Sequence, residues 1–173
     1  METTSRPSND HLNDWLRDAH AMEEQAETML SSMLSRIKNY PELSQRISQH
    51  IEETRGQQAV VKRCLERRGQ DNSTMKDMAG KAVATFQGFS GALASDEIVK
   101  GSMFSFSFEN LEIAAYKNII EAARYVGDTE TAVECERILQ EEIAMAQWLE
   151  KNTGAVVRHF LMLADEPDAT AKR

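Results

Sequence analysis

Four glutamates hold a spacing that scattered surface charge would not produce. Glu23 and Glu53 are thirty residues apart, so are Glu112 and Glu142, and the second pair follows the first by 89 residues. Each pair straddles a break in a long helical pattern, at Tyr40-Pro41 and at Gly127-Asp128. In an antiparallel helical hairpin, residues equidistant from the turn lie level, here roughly 22 Å from it at 1.5 Å per residue. Two such hairpins packed together would gather four carboxylates in one layer. Unpaired buried charge costs several kcal/mol, so carboxylates collect inside a bundle when a cation joins them. The pattern reads as a metal-binding helical bundle.

Three of the four have a partner three residues earlier, on the neighbouring turn of the same face. His20 precedes Glu23, His50 precedes Glu53 and Glu109 precedes Glu112, whereas Leu139 precedes Glu142 and Glu141 adjoins it. A dinuclear centre needs carboxylates that bridge two ions and further donors that complete each coordination sphere. The ligand set this gives is Glu23, His50, Glu53, Glu109, Glu112 and Glu142. His20 reads more readily as a surface or hydrogen-bonded histidine than as a ligand. Glu141 reads as solvated, since adjacent helical positions cannot face one core. Tyr116, one turn after Glu112, is either a hydrogen-bond donor to that carboxylate or an ordinary packed tyrosine.

The elements that must position these residues are long helices. Leu12, Trp15, Leu16, Ala19, Met22, Ala26, Met29, Leu30, Met33, Leu34 and Ile37 repeat at the helical period and predict a helix from about Asn9 to Lys38. Pro41 suits the first turn of a second helix, and Gly69 offers its stop. A weaker signal from Gly69 to Ser95, with a short helix ending near Phe86, suits a long crossover between parallel helices. Ser95-Asp96-Glu97 starts a third helix. Residues 102–108 alternate polar and apolar like a strand, but the helical stretch that follows without a turn assigns them to helix. A fourth helix is expected from Thr129 to Lys151, with a break at Asn152-Thr153-Gly154 and a short extra helix from Ala155 to Leu163. The expected organisation is a disordered N-terminus (1–8), an all-α, ferritin-like four-helix bundle (9–163) and a disordered tail (164–173).

Composition agrees. The 173 residues are 41% apolar and 28% charged, with eight Gly and three Pro, as suits one helical domain. A net charge of −8 without a basic stripe argues against nucleic acid. No apolar run approaches a membrane span, and the polar N-terminus lacks a signal core, so a cytoplasmic location is expected. Cys64 and Cys135 lack metal spacing and read as buried thiols.

The stretches DWLRDAHAMEEQAE, HIEETRGQ, DEIVKG, FENLEIAAY and LQEEIAMAQWL resemble the YciE/YciF family of bacterial ferritin-like stress proteins, and its YciE branch most. The resemblance spans about Asp14 to Phe160. It implies a ferritin-like bundle, often dimeric, tied to stress-response loci, with distant kinship to rubrerythrins and other di-iron or dimanganese bundles. Glu23 matches the first-helix glutamate of that wider class, and Glu109 and Glu112 its third-helix pair. The usual Glu-x-x-His of the second and fourth helices is absent: His50 and Glu53 stand in reversed order, and Met145 occupies the other histidine position. On this resemblance a pair of iron or manganese ions per chain is expected, acting on hydrogen peroxide or dioxygen. The alternatives are a structural bundle with weak or no metal binding, or metal storage. A homodimer is expected too, because Trp148, Phe160 and the loop at Phe89 add apolar surface to what the family implies.

Overall fold

The computed structural model describes residues 7–70, 96–166 and 170–171. Four helices carry the chain: α1 (Pro7–Leu34), α2 (Pro41–Arg67), α3 (Glu97–Val126) and α4 (Thr129–Ala164). No strand occurs among the described residues. The alternating segment is helical, because Ser102 and Ser107 return their hydroxyls to the carbonyls of Ile98 and Met103 (2.9 and 3.0 Å). Bonds of this kind satisfy a serine inside a helix.

Local chemistry sets the ends. Pro41 opens α2 where a missing N–H is harmless. The Asp128 side chain accepts from the Thr131 N–H at 3.0 Å and caps α4. Gly127, at φ 83, closes α3 in the left-handed region that favours glycine. Two expected boundaries move. α1 ends at Leu34, four residues before Lys38. α4 does not break at Asn152-Thr153-Gly154, so the separate C-terminal helix is the last part of α4. Asn152 and Thr153 bond back to the Trp148 and Leu149 carbonyls (both 2.8 Å), and one helical glycine costs only about 1 kcal/mol. The crossover, its short helix and the Phe89 loop lie outside the described residues. In the tail, the carbonyls of Thr170 and Ala171 accept hydrogen bonds from Asn39 and Tyr40 (2.7 and 2.6 Å).

The end of α2 meets the starts of α1 and α4, where Arg68 binds Asn13 (2.6 Å) and Asp128 (2.7 Å). At the opposite end Arg36, just past α1, pairs with Glu97 at the start of α3. Hence α2 and α3 run parallel while each hairpin is antiparallel, which is the ferritin-like four-helix bundle. Apolar side chains fill it in two blocks. One block, near the start of α1, holds Leu12, Leu16, Val61, Leu65, Tyr116 and Ile119. The other holds Leu30, Met33, Ile47, Ile51, Met145 and Leu149, with Trp148 and Phe160 packed partly buried against it. Every helix passes between the blocks through a polar stretch.

Candidate metal centre

That stretch is the candidate site. Glu23 of α1, His50 of α2, Glu109 and Glu112 of α3, and Glu142 of α4 are all at most 1% exposed. Their positions follow from the helical period, since each falls on the apolar stripe of its helix and goes inward with it. His50 is central. Its Nε2 lies 3.0 Å from Glu109 Oε2 and 3.5 Å from Glu142 Oε2. Donor atoms of His50, Glu109 and Glu142 all fall within 4.8 Å of one another, close enough to share an ion.

Glu53 sits apart from this group. Its side chain is 21% exposed at the edge of the layer. Its carboxylate accepts from Arg46 (3.1 Å) and Gln49 (2.8 Å) and lies 2.7 Å from His50 Nδ1. The carboxylate thus fixes the imidazole with Nε2 facing inward, as partners of metal-bound histidines do. The reason is register. The Gln58 amide donates to the Glu23 carbonyl (3.2 Å), and both Arg55 and Gln58 bind Glu27 (2.7 and 2.9 Å). Glu23 is therefore level with Gln58 rather than with Glu53.

Gln57 fills the place beside the acids. It is 1% exposed and donates to Glu142 Oε1 (2.5 Å) and to Glu141 Oε2 (2.9 Å). It was missed because a glutamine reads as surface, although it lies seven residues from His50 on the same helical face. Tyr116 donates its hydroxyl to Glu23 Oε1, not to Glu112. His20 stays outside, its Nδ1 3.9 Å from Glu24. Glu141 is exposed and touches the layer only through Gln57. Met145, fully buried, packs into the second apolar block.

Crowding sets the proton states. Burial pushes the Glu23 and Glu112 carboxyls well above the ordinary range, helped by the Glu142 charge on Glu23 and by Glu23, Glu142 and Glu109 on Glu112. Burial also lifts Glu109 to about 8, against the pull of His50. Burial alone would lower His50, but hydrogen bonds to Glu109, Glu142 and Glu53 overcome it and raise the imidazolium to about 12. Burial works upward on Glu142 and Glu53 as well. His50, Glu109 and Gln57 nonetheless hold Glu142 below its usual value, and His50 with Arg46 brings Glu53 to about 2.

The donor set fits a hard divalent or trivalent cation. One oxygen on each of Glu23, Glu109, Glu112 and Glu142 is buried without a hydrogen-bond partner. Unpartnered buried acceptors are costly and rare, and their gathering within one layer is what a metal would satisfy. Four carboxylates and one imidazole on four facing helices are the inventory of dinuclear bundle sites less one histidine, the position at which this chain has Met145.

Fold and site together define a ferritin-like bundle with a buried carboxylate–histidine layer. The chain belongs to the family described as Domain of unknown function (DUF892), which it matches over residues 8–162. Three solved structures are similar. A protein from Xanthomonas campestris pv. campestris is 42% identical, with a TM-score of 0.77 over 92% of this chain and 99% of that one. YcfI from Rhodopseudomonas palustris, described as a putative structural protein, is 25% identical, with a TM-score of 0.66 over 87% and 97%. The E. coli stress protein YciF, at 22% identity and a TM-score of 0.67 over 91% and 99%, shares the fold. No helix among the described residues is long and apolar enough to cross a membrane.

Proposed function

We propose that the layer binds two iron or manganese ions and that the protein handles hydrogen peroxide or dioxygen in a bacterial stress response, on the YciE side of its family. One observation carries the reading: four buried carboxylates from three helices, each with an unpartnered oxygen, share the layer in which Glu109 and Glu142 close on the inward nitrogen of His50. Glu23, Glu109, Glu112, Glu142 and His50 would hold the metals, with Glu53 orienting the imidazole. A bound pair would supply cycling between M(II) and M(III). The surrounding residues exclude water from the layer, and Tyr116 holds a proton against Glu23. Two cysteines cannot build a four-cysteine iron module, so turnover needs either a catalase-type disproportionation, which uses no reductant, or a donor of another kind. Elemental analysis of untagged protein, with oxygen release followed after peroxide addition, tests the reading. About two Fe or Mn per chain with metal-dependent turnover supports it, and no metal after supplementation defeats it.

A structural bundle is the second reading, and His50 favours it. The imidazolium lies against Glu109, Glu142 and Glu53, so the layer contains a cation of its own. The description of YcfI as a putative structural protein agrees with it. Metal-free protein with full thermal stability and no gain on metal addition would establish it.

A further inference from the structure

The antiparallel contact between α2 and α4 has a readable register. Gln57 meets Glu142 (2.5 Å), and one end further on Arg67 meets Thr131 (3.0 Å). Carried seven residues along each helix from Gln57 and Glu142, the same register reaches Cys64 and Cys135. The two cysteines are therefore placed opposite each other, roughly 10 Å or two turns from the carboxylate layer. Both are fully buried free thiols in one apolar block. Arg67 Nη2 lies 3.7 Å from Cys64 Sγ while holding Thr131, one turn before Cys135, which locates the Cys64 sulfur at that turn. Tyr116 belongs to the same block, and its hydroxyl donates to Glu23. Tyr116 thus shares the apolar block of both thiols, close enough to Cys135 for the two to interact electrostatically, while its hydroxyl reaches the acid layer. Burial keeps the Cys135 thiol protonated, and neither sulfur meets solvent, so direct attack on a dissolved oxidant is disfavoured.

We propose that Cys64 and Cys135 form a redox-active dithiol that acts as the protein's own two-electron donor to the carboxylate layer, with Tyr116 as the relay. The proposal rests on the metal reading above. Cys64–SH and Cys135–SH give up two protons and two electrons and form one S–S bond. Hydrogen peroxide at the layer takes up two electrons and two protons and leaves as two waters. The dithiol is oxidised, the peroxide O–O bond is reduced, and an external thiol can restore the pair by exchange once the helices part. A peroxidase cycle would then need no iron–sulfur partner.

The test uses full-length, untagged, fully reduced protein loaded anaerobically with Fe(II) or Mn(II) and freed of reductant. One equivalent of hydrogen peroxide is added, and samples are quenched in denaturant with a maleimide and weighed by mass spectrometry. Both thiols are expected to vanish together, with loss of two hydrogens and a Cys64–Cys135 crosslink within one chain. Metal-free protein and Tyr116→Phe should react at least about tenfold more slowly, that step being 1.4 kcal/mol in barrier. The metal-free comparison stands even where the tyrosine variant folds poorly. Metal content of the same samples separates the two ideas. Bound metal with both thiols still free overturns the dithiol while leaving the metal centre intact. Equal oxidation with and without metal, or a crosslink between chains, also overturns it. No metal bound and no thiol lost removes both.

Discussion

Replacing Glu109 by Gln isolates the cost of crowding acids in the metal-free protein. The carboxyl is 0% exposed, with one oxygen 3.0 Å from His50 Nε2 and the other unpartnered. A glutamine keeps the shape and an acceptor for His50 but cannot ionise. In the wild type the folded group holds its proton to about pH 8, whereas the unfolded group releases it near 4.5. The stability it lends is whole below pH 4.5 and is lost as pH rises towards 8, at about 1.4 kcal/mol per pH unit. By pH 7 the loss is about 3 kcal/mol, which for a chain of this size is about 10 °C in Tm. Melts of chelator-treated wild type and Glu109→Gln at pH 5, 6 and 7, followed by far-ultraviolet circular dichroism, read the difference. The variant should melt close to wild type at pH 5 and about 10 °C above it at pH 7. A gap that does not change with pH would refute the reasoning, since it would mean the Glu109 carboxyl titrates as in the unfolded chain.

With Fe(II) or Mn(II) bound, the trend reverses: holo protein should melt well above apo protein at pH 7 and approach it towards pH 5, and coincident melts at pH 7 would exclude a buried metal site. Metal uptake at pH 7 should release the protons held on Glu23, Glu109, Glu112 and His50, measured as acid appearing in weakly buffered solution, and uptake without acid would contradict those proton states. Glu112→Ala should abolish metal uptake, Glu53→Ala should weaken it about 10- to 100-fold by freeing the imidazole, and His20→Ala should leave it nearly unchanged in elemental analysis. Trp15 (42% exposed) and Tyr125 (81%) leave apolar surface uncovered, and a two-fold dimer is expected; sedimentation showing only monomer at micromolar concentration would remove it.

The α3–α4 half of the site was legible because its connection is tight. Gly127 and Asp128 alone separate those helices, so counting from the turn puts Glu112 level with Glu142. In the other hairpin six residues lie between Leu34 and Pro41, and the turn's midpoint no longer marks equal heights. An extended residue advances about 3.3 Å, against 1.5 Å in a helix, so a few such residues shift the partner by more than a turn. That shift puts Gln58 rather than Glu53 level with Glu23, and Gln57 is the α2 side chain that meets Glu142. The helical period of α2 could have revealed it, since His50, Thr54, Gln57, Val61 and Cys64 form one buried row. Gly154 misled for a different reason: its low helix propensity is real, but the packing of Val156 and Leu163 against the second block outweighs it.

The unequal connections also bear on the order in which the charges meet during folding. A two-residue link costs little closure entropy, and contacts close in sequence form early. The α3–α4 hairpin is thus expected to assemble first, and it carries Glu109, Glu112 and Glu142 but not the histidine. Its acids must gather before α2 delivers His50, so repulsion between them belongs to the transition state rather than only to the finished core. Mild acid, which neutralises that hairpin in advance, should therefore speed refolding, and a divalent cation present from the first millisecond should do the same at neutral pH.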